Sequence, residues 1–122
     1  MSIKRKTVRK QSDDEKRLAK ELTPFYEYLN TEPLQAVFVP FRKCSAAYGI
    51  VGYKARNWLV LHSYQTIVSA YLLGSTMIVH FGRYSATTYQ HQAKFEEFIK
   101  EDYLHYFKPL QTYWLDYEDW YN

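Results

Sequence analysis

The longest apolar runs of the chain fall between Asn57 and His91, and the remainder reads as helices and tails attached to them. Trp58 to Leu61 is apolar and bounded by polar residues, the pattern of a buried strand. From Tyr64 the run alternates: Tyr64, Thr66, Val68, Ala70 and Leu72 are predicted on one face, and Gln65, Ile67, Ser69 and Tyr71 on the other. Gly74-Ser75 separates this run from Met77 to Phe81 and predicts a two-residue hairpin turn with the glycine first, at positive φ. Upstream, Val37, Phe38 and Val39 mark a strand over Leu34 to Phe41, and Pro40 confines it to a sheet edge. Ala47 to Tyr53 reads as a short strand whose two glycines allow a bulge, and Lys54 to Asn57 as a turn.

Helical periodicity flanks this β-rich centre. Ser12 with Glu15 three residues on forms a capping box, and Leu18, Leu22, Phe25 and Leu29 make one apolar stripe behind it. Pro24 either kinks this helix or starts a second one capped by Thr23. A second helix is predicted to begin at Thr87, paired with Gln90 as a capping box, and to end at Lys108-Pro109. Its stripe is His91, Phe95, Ile99, Tyr103 and Tyr106, with Phe98 beside them, and Glu96 precedes Lys100 at the spacing of a surface ion pair. The closing segment QTYWLDYEDWYN suits a last strand or a piece laid across the sheet. The element order predicts an α+β fold: a small, mainly antiparallel sheet with a central hairpin, packed against an N-terminal and a C-terminal helix, both on one face.

Length and charge refine this picture. The 122 residues suit one domain over 12–122, preceded by an arm at 1–11 that is predicted to be disordered. The net charge of +3 is uneven. Lys4, Arg5, Lys6, Arg9 and Lys10 sit in the arm, whereas Glu96, Glu97, Glu101, Asp102, Asp116, Glu118 and Asp119 crowd the end against Lys100 and Lys108. The arm therefore suits a phosphate backbone or a solubilising tail, and the rest is slightly acidic. Tyrosine is abundant, at 13 residues, which fits either a core filled by large rings or a phenol-lined contact face. The single cysteine, Cys44, precludes an intrachain disulfide, and no apolar run approaches the roughly 20 residues of a membrane span. A cytoplasmic protein with no membrane partner is the expectation.

Candidate chemistry centres on the turn into the second helix. Arg83, Tyr84, Ser85, Thr87 and Thr88 bring a cation and hydroxyls to a helix start, where an anion can bind or the hydroxyls can simply cap. With Ser63, Tyr64, Thr66 and His91 they are predicted to form one hydrogen-bonded cluster joining hairpin to helix. His62, His80, His91 and His105 lack helical metal spacing, although His62 and His80 could meet across strands. No nucleophile elbow or phosphate loop is present, so no catalytic residue, metal or cofactor is assigned.

The pattern S-Y-x-T at Ser63 to Thr66, then Y-S-x-T-T-x-x-H at Tyr84 to His91, resembles a family of small uncharacterised domains found in phage and plasmid proteins, over roughly Trp58 to Phe98. Members often carry a basic residue where this chain has Gln90. The resemblance implies an accessory protein of a mobile element and brings no activity with it. The function expected is a small non-enzymatic binding protein acting on a host or element macromolecule, of which an inhibitor of a host defence nuclease complex is one form by analogy. A nucleic-acid-binding accessory protein using the arm and a Tyr-rich sheet is the second reading. An enzyme centred on Arg83, Ser85 and His91 is the third.

Overall fold

The computed structural model describes residues 11–31, 37–41, 45–82, 84–115 and 117. The elements are α1 (Asp13–Leu29), β1 (Val39–Pro40), β2 (Ala46–Tyr53), β3 (Arg56–Ser63), β4 (Thr66–Leu72), β5 (Met77–His80), α2 (Ala86–Asp102) and β6 (Gln111–Trp114). They form an α+β domain around one six-stranded sheet in the order β1-β2-β3-β4-β5-β6. Each neighbouring pair is antiparallel except β5 and β6, which run parallel because α2 carries the chain back between them. The predicted arm falls outside the described residues except for Gln11, whose side chain donates to the Trp114 carbonyl at 3.2 Å.

The helices lie on opposite faces of the sheet, not on one. α1 packs Phe25 and Leu29 against Val51, Trp58, Val60, Ile67, Ala70, Val79, Phe81 and Leu115. α2 packs Phe95 and Ile99 against Phe41, Ala46, Leu59, Leu61, Val68, Tyr71 and Ile78. In β3 the neighbours Trp58, Leu59, Val60 and Leu61 are therefore all buried. A strand covered on both sides reads as an unbroken apolar run, and that is how WLVL and MIV read in the sequence.

Expected and observed elements differ at several places, each with a local cause. β3 and β4 are joined at Tyr64-Gln65, both in the left-handed region at φ 51° and 73°. This is the geometry of a two-residue hairpin turn, but without the glycine or asparagine that would have announced it. Lys54-Ala55 turns the same way between β2 and β3, at φ 49° and 63°. The predicted alternation through β4 is broken by a bulge: Leu61 pairs with Ser69 but His62 with Ile67. Val68 is the extra residue, so Ile67 and Ala70 both reach the α1 side while Val68 and Tyr71 reach the α2 side. β2 itself runs in regular register with β3. Its Gly49 has another purpose, since a Cβ there would lie 2.5 Å from the Val37 carbonyl oxygen where the chain crosses the strand.

The β4–β5 hairpin is present with a four-residue loop rather than two. The Ser75 amide returns to the Leu72 carbonyl at 3.1 Å, which puts Gly74 second in the turn, at φ 86°. α1 carries the expected capping box and runs unbroken through Pro24, with the Thr23 hydroxyl bonded to the Ala19 carbonyl at 2.8 Å. α2 starts two residues earlier and stops sooner than predicted. Ser85 caps it in place of Thr87, and Tyr103 and Tyr106 lie beyond its end, exposed. The Leu34 to Ala36 part of the expected first strand, with Cys44, lies outside the described residues.

Candidate functional site

The Ser63-to-His91 cluster forms where the β3–β4 turn meets the start of α2. Ser85 has extended backbone, and its hydroxyl accepts the Thr88 amide at 3.1 Å. The same hydroxyl reaches Thr88 Oγ1 at 3.3 Å, Thr88 Oγ1 lies 3.0 Å from Ser63 Oγ, and Ser63 Oγ lies 2.8 Å from His91 Nδ1. Each hydroxyl has one proton, so a donation order of Ser85 to Thr88 to Ser63 to His91 satisfies the whole chain if Nδ1 is an acceptor. Burial, and secondarily the nearby Lys94 charge, hold the His91 pKa below its ordinary 6.5, which favours that neutral acceptor. Ser63, Thr88 and His91 are 2%, 5% and 3% exposed, so the chain is a clasp between turn and helix that is sealed except at its Ser85 end.

Other predicted members stand outside the clasp. Thr66 and Thr87 face solvent. Tyr84 is half-buried against the α2-side core. Tyr64 places its ring 5.8 Å from that of His91 yet remains 57% exposed. Arg83 lies outside the described residues, as do Lys4, Arg5, Lys6, Arg9 and Lys10. Ser85 and His91, two members of the enzyme reading, are joined through Thr88 and Ser63 rather than directly.

A second polar chain lies deeper and was not foreseen. Ser69 Oγ is 2.6 Å from His80 Nδ1, and His80 Nε2 is 2.6 Å from Glu96 Oε2, with the Trp114 ring 4.2 Å from the imidazole. Serine, histidine and carboxylate in line invite comparison with a nucleophilic triad. Ser69 and His80 are however 0% exposed beneath α2, and a nucleophile must reach its substrate. The chain instead bolts α2 to β4 and β5. Glu96 consequently points inward, and Lys100 pairs with Glu97 at 3.4 Å, not with Glu96 as spacing suggested. Gln92 adds a third bolt, donating from Nε2 to the Val68 carbonyl at the bulge and to the Gly82 carbonyl. His62 and His80 do not meet, being on β3 and β5 with β4 between them. The available signal was a polar residue inside an apolar strand: Ser69 in IVSAYLL and His80 in MIVHF.

Among the described residues, the solvent side of the clasp is mostly uncharged, with Lys94 the cation close enough to His91 to lower its pKa. Tyr64, Gln65, Thr66, Ser85, Thr87, Tyr89 and Gln90 are exposed, and from Asn57 to Ala93 Arg83 is the lone Lys, Arg, Asp or Glu in the sequence. Next to Tyr64 a groove of about 500 Å³ opens between Phe38, Pro40, Ala46, Ala47 and His62. The His62 ring lies 4.5 Å from that of Phe38, its Nδ1 is buried without a hydrogen-bond partner among the described residues, and burial holds its pKa below 6.5. Among the described residues there is no cluster of three metal-ligating side chains, and no helix is long and apolar enough to cross a membrane.

No curated protein and no solved structure matches the chain. A family model does, over residues 4–106, a span that takes in both helices and strands β1 to β5 and leaves β6 outside. The chain thus belongs to DUF8033, a family of unknown function.

Proposed function

We propose that this is a small non-enzymatic binding protein of a phage or plasmid, and that it grips a host protein with the surface around Tyr64, Thr66, Ser85, Thr87 and Tyr89. The observation that carries this reading is the exposed Tyr64. It is held at φ 51° at the tip of a turn, a conformation that costs a non-glycine residue roughly 1–2 kcal/mol, and it is 57% solvent-exposed. A bulky ring kept exposed at the tip of a turn, where its own burial cannot account for it, is a candidate contact group. The phenols, hydroxyls and amides described at this surface match protein interfaces, whereas a phosphate backbone calls for more cations than Lys94 alone. The adjoining groove offers an apolar seat for a partner side chain. The Y-S-x-T-T-x-x-H pattern supports the mobile-element origin, and a host defence nuclease complex is the first target to try.

Immobilised protein should retain a defined host protein from lysate, with or without nuclease treatment. Tyr64→Ala should lose it while melting at nearly the parent temperature. Retention abolished by nuclease would transfer the function to nucleic acid. In that case deleting residues 1–10 should weaken binding and flatten its salt dependence.

A further inference from the structure

The last strand is seated in three places at once. Its main chain pairs with β5, Gln111 N–H to the Thr76 carbonyl at 2.7 Å and Leu115 N–H to the His80 carbonyl at 2.8 Å. Trp114, on the outer side, donates its N–H to the Glu15 carboxylate at 2.8 Å and accepts from Gln11. Leu115 is 0% exposed in the α1-side core, and Tyr117 stacks on Tyr26 at 4.4 Å and 7° while its hydroxyl donates to the Ala19 carbonyl. Residues 111–115, with Tyr117 beyond them, thus adhere in a groove formed by β5 and α1.

The link that delivers this segment is made differently. Leu104 and Leu110 rest on the α2-side core, but His105, Tyr106, Phe107, Lys108 and Pro109 between them are all exposed. His105 and Tyr106 are both left-handed, at φ 50° and 60°. Phe107 is 87% exposed, more than any other large apolar residue among those described. Short strained links invite exchange of the element they carry. We propose that residues 110–117 exchange between two copies of this chain, so that β6 of each lies in the β5–α1 groove of the other. Every contact of β6 is conserved in the exchanged dimer, and only the link changes. Opened, His105 and Tyr106 leave the left-handed region. The two links then pass one another at the two-fold axis, where the Phe107 rings find the cover they lack in the closed chain.

Met77 and Gln111 are Cα partners across β5 and β6, which gives a direct test. Two full-length chains carry Cys44→Ser, one with Met77→Cys and the other with Gln111→Cys, at half-buried and exposed positions that tolerate the change. Unfolded, refolded together under reductant and then oxidised, they should yield a disulfide-linked heterodimer. Adding Phe107→Ser to both should cut that yield severalfold without lowering the melting temperature. The unsubstituted chain refolded at millimolar concentration should give a dimer in sedimentation that dissociates slowly on dilution. A cross-link confined to a single chain carrying both cysteines, or a refolded parent that stays monomeric at every concentration, overturns the proposal.

Discussion

The two sides of the sheet are held by different physics. On the α1 side Phe25 stacks on Trp58 at 4.4 Å and packs on Tyr53 and Phe81, with polar links through Glu15 and Tyr117 at the margin. On the α2 side, among the described residues, three polar connections pass through the interface: Ser85-Thr88-Ser63-His91, Ser69-His80-Glu96, and Gln92 to the Val68 and Gly82 carbonyls. Ring packing is strong and weakly directional, so it fixes how tightly a helix sits more than where. Hydrogen bonds in a dry interface fix where, because a helix shifted by one residue would strand their donors and acceptors. The α2 side is also the side that presents Tyr64, so the accurately positioned helix and the candidate surface coincide.

The largest expected difference is in raw stability. Phe25→Ala should cost about 3–5 kcal/mol in denaturant melts while leaving partner retention by the folded fraction intact. A loss below 1 kcal/mol would mean the α1 layer is not held as described. Ser63→Ala is the matching test of the other side. It leaves His91 Nδ1 and Thr88 Oγ1 without their shared partner, at about 1–3 kcal/mol. Ser63→Ala should also loosen the Tyr64 turn, seen as faster amide exchange at Tyr64 and Gln65 than in Phe25→Ala at equal stability. Equal exchange in the two variants would remove the clasp from the account.

Acid should act on the clasp next. The His91 pKa lies below its unfolded value of 6.5, so the unfolded chain binds the proton first. Its stabilising share is complete above pH 6.5 and is lost as pH falls towards the folded pKa. His62, lowered by burial, adds in the same direction. The melting temperature of the parent should therefore drop between pH 7 and pH 5, and His91→Gln should show a shallower slope than the parent. An identical slope would show that His91 is not carrying the titration. The smallest effect separates the two candidate caps. Ser85→Ala should cost about 1 kcal/mol, and Thr87→Ala less than about 0.5 kcal/mol, in thermal melts. The reverse order would restore Thr87 as the cap.

Local physics was legible in the chain. Ser12 and Glu15 are three residues apart, so their capping box follows from sequence neighbours alone, as does the stripe from Leu18 to Leu29 that faces the core. The apolar runs of β3 and β5, the edge position of Pro40 and the positive φ of Gly74 are likewise set by a few adjacent residues. The residues of the clasp could be gathered from spacing, but not its membership. Thr66 and Thr87 have the same chemistry as Ser63 and Thr88, and only the angle between turn and helix turned one pair inward and the other outward.

Tertiary structure decided whatever depends on which surfaces meet. Ser85 prevailed over Thr87 as cap because docking His91 onto Ser63 sets where α2 must begin. Glu96 faces inward because His80 awaits it beneath the helix, an attraction that its spacing from Lys100 does not reveal. The bulge at Val68 and the left-handed Tyr64-Gln65 turn contradict local preference, and they persist because cores on both faces of β4 fix the positions of its side chains. β6, brought back parallel to β5 by α2, is held there by groups about a hundred residues earlier in the chain: Glu15 accepts the Trp114 N–H and Gln11 donates to the Trp114 carbonyl. Sequence neighbours set the local free energies, and burial of groups distant in sequence selects among the conformations those energies leave open.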